Sequence, residues 1–75
     1  MAIVTELRLR RLETDSPHTR TECTYSVVAG VDGEKFLQID TYGSKARKIP
    51  GKKSQSIRFT AEAVAQLRKI IEENF

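Results

Sequence analysis

The chain has 75 residues, of which 39% are apolar and 31% charged, with a net charge of +3. That balance excludes a disordered chain, and the length allows one domain, residues 1–75, burying only about 60% of its unfolded surface. One cysteine excludes an internal disulfide and fits a reducing compartment, and no apolar run is long enough for a signal peptide or a membrane span.

These properties lead us to expect a cytoplasmic, nucleoid or nuclear protein that is not secreted and meets no membrane. A core this thin gains from a partner subunit.

The first element is "AIVTELRLRRL", residues 2–12, where Ile3, Leu7 and Leu9 alternate with Glu6, Arg8 and Arg10. Alternation of this kind predicts a half-buried strand, with a short helix as the alternative. Residues 13–21, "ETDSPHTRT", are rich in Ser, Thr and Asp with Ser16-Pro17 inside, the composition of a surface loop.

Residues 21–30, "TECTYSVVAG", are β-branched and aromatic, with Cys23, Tyr25, Val27 and Ala29 on one parity. "VDGEK" then supplies a turn, and "KFLQIDTY", residues 35–42, is the returning strand. A two-residue turn at Asp32-Gly33 would set Val27 against Gln38 and Tyr25 against Asp40, mixing apolar with polar. A three-residue loop, Val31-Asp32-Gly33 with Gly33 left-handed, sets Val27 against Leu37, Tyr25 against Ile39 and Cys23 against Thr41. Register slips exchange the two faces of a strand, so the second arrangement is expected. It makes Cys23 a small buried hydrophobe and leaves Phe36, Gln38, Asp40 and Tyr42 on the opposite face, beside Thr24, Ser26 and Val28. Two aromatic rings there are either packed against something else or a binding platform.

"GSKARKIPGKK" follows as a long connection, broken by Gly43, Pro50 and Gly51. "SQSIRFT" alternates again, with Ile57 and Phe59 inward and Ser56 and Arg58 outward. Thr60 is a good N-cap for the helix "AEAVAQLRKIIEENF", whose apolar stripe is Val64, Leu67, Ile71 and Phe75, widened by Ala63 and Ile70. The fold class expected is α+β, an antiparallel four-stranded sheet followed by one C-terminal amphipathic helix, in the order β-β-β-β-α.

Charge is segregated. None of the ten acidic residues lies between Tyr42 and Ala61, a span that holds Lys45, Arg47, Lys48, Lys52, Lys53 and Arg58. Cations that track phosphates and aromatic faces on which bases stack are the two ingredients of single-strand binding. Phe36 and Tyr42 are candidates for the second, and Ser54, Gln55 and Ser56 for hydrogen bonds to phosphate or sugar oxygens.

Nothing suggests catalysis, a metal or another cofactor. His18 sits in the Ser/Thr loop without ligand-spaced partners, and Asp32, Glu34 and Asp40 are too scattered for an acid–base pair. Gly51-Lys52 lacks the spacing of a phosphate-binding loop and leads into a strand where that motif requires a helix.

The stretch "IPGKKSQSIRFTAEAVAQLRKII", with Pro50, Gly51, Lys52, Lys53, Gln66, Leu67 and Ile70, resembles the C-terminal domain of the transcriptional positive cofactor four family. The likeness spans Lys35 to Ile71 and departs at "SQS", where the family carries a glycine, and in the absence of tryptophan. The resemblance implies a two-fold homodimer that binds single-stranded nucleic acid, DNA above RNA, along its sheet, in the manner of a transcription coactivator. The alternative is a protein-interaction module or accessory subunit whose basic stretch docks an acidic partner.

Overall fold

The computed structural model describes residues 1–18, 20–42 and 55–75. Four strands, β1 (Ala2–Val4), β2 (Cys23–Ala29), β3 (Lys35–Thr41) and β4 (Gln55–Phe59), precede one helix, α1 (Ala61–Asn74). The α+β class and the element order are as expected.

The β2–β3 hairpin has the register argued from parity. Val27 faces Leu37, Tyr25 faces Ile39 and Cys23 faces Thr41. Gly30 N–H donates to the Glu34 carbonyl at 2.7 Å, closing the loop Val31-Asp32-Gly33. Gly33 has φ of 77°, the left-handed conformation that this loop requires and that a Cβ disfavours.

The sheet is mixed rather than antiparallel, a correction to the expected meander. Its order is β1-β4-β3-β2, and β1 lies parallel to β4, with Ala2 beside Ile57 and Val4 beside Phe59. The strand expected over residues 2–12 covers only Ala2–Val4. Residues 5–22 are long enough to carry the chain across the sheet, so β1 and β2 run in one direction at opposite edges. A direct hairpin would have forced them antiparallel. Leu9, on the apolar parity of the expected strand, is exposed, as is Leu12.

Helix α1 starts where the sequence places it. Thr60 is extended (φ −68°, ψ 166°), and its hydroxyl accepts from Ala63 N–H at 3.2 Å. At the other end the Asn74 side-chain amide donates to the Ile70 carbonyl at 2.8 Å and Phe75 N–H to the Ile71 carbonyl at 2.9 Å, satisfying carbonyls that the helix leaves open. Two bonds tie the helix to the amino-terminal segment: Thr60 N–H to the Val4 carbonyl at 3.0 Å, and Leu7 N–H to Gln66 Oε1 at 2.9 Å.

Burial departs from the expected core. The helix lies against β3 and β4. A helix about 10 Å wide spans roughly two strands spaced about 4.8 Å apart, so β2 is beyond its reach. Ala63 is the one apolar side chain fully buried among the described residues, and Val64, Leu67, Leu37, Ile39, Ile57 and Phe59 are half-buried. On β2, Tyr25 and Val27 stay 76% and 69% exposed, and Cys23 is exposed as well, not buried as its parity suggested.

Candidate nucleic-acid interface

Successive side chains of a strand point to opposite faces, so the two registers define a polar face. It carries Phe36, Gln38, Asp40 and Tyr42 from the β3 side, Thr24, Ser26 and Val28 from β2, and Ser56 and Arg58 from β4. Phe36 and Tyr42 stand about 20 Å apart along the strand direction. Between them, the rows Ser26–Gln38–Arg58 and Thr24–Asp40–Ser56 cross the sheet.

Four of the residues singled out in the sequence therefore share this face: Phe36, Tyr42, Ser56 and Arg58. All four are half-buried. The Phe36 ring lies over the backbone of Gly30, where an added Cβ would approach Cε2 at 3.0 Å. The Tyr42 hydroxyl is 2.7 Å from Thr24 Oγ1, a bond that fixes the ring across two strands. Gln55 faces Thr41 and so projects from the other face, with Ile57 and Phe59. Lys45, Arg47, Lys48, Lys52, Lys53 and Ser54 lie outside the described residues.

A polar chain links the middle of this face. Arg58 Nε donates to Gln38 Oε1 at 2.7 Å. The Gln38 amide nitrogen lies 3.0 and 3.1 Å from the two Asp40 oxygens, and the Ser56 hydroxyl also donates to Asp40. Gln38 and Asp40 are the most shielded polar residues described, 7% and 3% exposed. Hydrogen bonding is what makes such burial tolerable. The parity pattern placed Gln38 and Asp40 on this face, but neither was singled out as a site residue. The sign that could have found them is the repeat of polar residues, Gln38 and Asp40 on one strand and Ser56 and Arg58 on the next, at one parity.

Arg58 is the only cation among the described strand residues of this face, and Asp40 the only anion. Arg8, Arg10, Arg11 and Arg20 are further exposed cations of the connection between β1 and β2. The opposite face carries Leu37, Ile39, Ile57 and Phe59, all half-buried, with Thr41 and Gln55 at its end. A hollow of about 760 Å³ there is bordered by Met1, Ala2, Ile39, Thr41, Gln55 and Ile57.

Among the described residues no group of three His, Cys, Asp or Glu side chains could hold a metal, and no helix is long and apolar enough to cross a membrane. No protein-family model, curated protein or solved structure matches the chain.

Proposed function

We propose that this protein is a homodimer that binds single-stranded nucleic acid, DNA in preference to RNA, without catalysing a reaction on it. The observation that carries the reading is where the one-sign stretch is anchored. Thr41 and Gln55 are register partners, so the chain leaves β3 and re-enters β4 at one end of the strand pair. The connection holding Lys45, Arg47, Lys48, Lys52 and Lys53 thus begins and ends at the Thr41–Gln55 end of that pair, next to Tyr42. Cations capture the phosphates and the rings stack on bases, the combination that suits an unpaired strand. The likeness to the positive cofactor four family supports the same reading and extends it to a coactivator-like role.

Titration of labelled single- and double-stranded oligonucleotides, DNA and RNA, at about 50 and 200 mM salt tests the proposal. The single strand is expected to bind more tightly, with affinity falling steeply as salt rises. Replacing Lys52 and Lys53 together by Ala should weaken binding to all sequences alike and reduce the salt slope by about two phosphate contacts. Equal affinity for duplex, or indifference to salt, overturns the reading. A chain that ignores every oligonucleotide and retains an acidic protein is instead an interaction module.

A further inference from the structure

We propose that Gln38 and Asp40 are positioning residues that hold the Arg58 guanidinium in one orientation, its two η nitrogens presented to a single phosphate group. The inference rests on the nucleic-acid reading above and assigns that interface an anchored phosphate site on the sheet itself.

Asp40, when ionised, can only accept hydrogen bonds. The Gln38 amide nitrogen therefore turns toward it, at 3.0 and 3.1 Å from its two oxygens. That choice sends Oε1 the other way, to Arg58 Nε at 2.7 Å. Gln38 and Arg58 are direct cross-strand partners, so the bond holds the guanidinium by its inner edge. Among the described residues Gln38 is the only hydrogen-bond partner of Arg58, and the edge formed by its two η nitrogens takes no acceptor from them. A guanidinium presents its donors in a planar fork that matches two phosphate oxygens.

The identity of the intermediate residue matters. A carboxylate in direct contact with Arg58 would orient it and cancel its charge together. A neutral amide transmits the orientation and leaves the charge for a ligand. Burial of Gln38 and Asp40, with the Ser56 hydroxyl also on Asp40, prevents water from taking over either bond. A side chain fixed beforehand loses less freedom when its ligand arrives.

A double-mutant cycle on single-stranded DNA binding tests this, with Gln38→Met, Arg58→Ala and the pair. Arg58→Ala should weaken binding about tenfold and lower the salt slope by about one contact. Gln38→Met should weaken it by about three- to fivefold with the slope retained, because the charge remains, and should cost nothing further once Arg58 is Ala. Asp40→Asn, which keeps the shape but no longer dictates which way the Gln38 amide turns, should match Gln38→Met. It decides the matter if Gln38→Met fails to fold. Losses that simply add, or wild-type affinity in a folded Gln38→Met or Asp40→Asn variant, overturn the positioning role while leaving the nucleic-acid reading intact. A wild-type protein that binds no oligonucleotide sinks that reading, and the phosphate site with it.

Discussion

Single residues set the hairpin on which the polar face depends. Gly33 adopts φ of 77° with open space where a Cβ would stand, so its requirement is purely conformational. Gly33→Ala is expected to lower stability by about 1–2 kcal/mol, the cost of a left-handed non-glycine residue. It should appear as a lower urea midpoint with unchanged slope. Gly30 is glycine for a different reason, since its neighbour is the Phe36 ring at 3.0 Å from a notional Cβ. The hairpin register was legible in the sequence because only one loop length keeps Tyr25, Val27, Leu37 and Ile39 on one side. The Arg58–Gln38–Asp40 chain was not, because it depends on how β3 pairs with β4 across a connection whose length fixes no register. Polar residues at the same parity announce a shared face, but they do not say which of them are shielded.

At the scale of elements, the helix owes its position to its cap and its stability to one stripe. Thr60→Ala removes the hydroxyl that accepts from Ala63 N–H and should cost about 1 kcal/mol. In a domain of this size that is a fall of about 4–8 °C in Tm, read from the loss of helical circular dichroism on heating. Thr60→Ser keeps the acceptor and should retain most of the stability. The Arg68–Glu72 pair, 3.3 Å apart with both side chains largely exposed, adds little by comparison. Elements with strong local signals were the readable ones: the capped helix, the hairpin, the alternating fourth strand. β1 misled because a run of alternating residues specifies that a strand can form, not its length or its neighbour. The connection through residues 5–22 allowed an edge that the order of elements alone did not indicate.

The whole molecule exposes more than a finished monomer should. Large apolar side chains stand exposed among the described residues: Tyr25 and Val27 on β2, Ile70 and Ile71 on the helix, and Phe75 at its C-cap. β2 is also an edge strand of seven residues without a charge or a proline, the features that otherwise discourage pairing with another chain. These features support the proposed homodimer. Val27→Lys places a charge on this edge at a position 69% exposed, where a monomer should tolerate it. Sedimentation equilibrium is expected to give a dimer for the wild type and a folded monomer for the variant. A wild-type monomer, or a variant that still pairs, contradicts the proposal.

The parallel ladder between β1 and β4 also has a kinetic meaning. It joins Ala2–Val4 to Ile57–Phe59, while β2 and β3 meet across a tight loop. Closing a loop of about 55 residues costs more entropy than closing a hairpin, and three residues return little for it. The amino-terminal strand is thus the last to zip and the first to fray, a seam at the rim of the sheet that borders Arg58 through its partner Ile3.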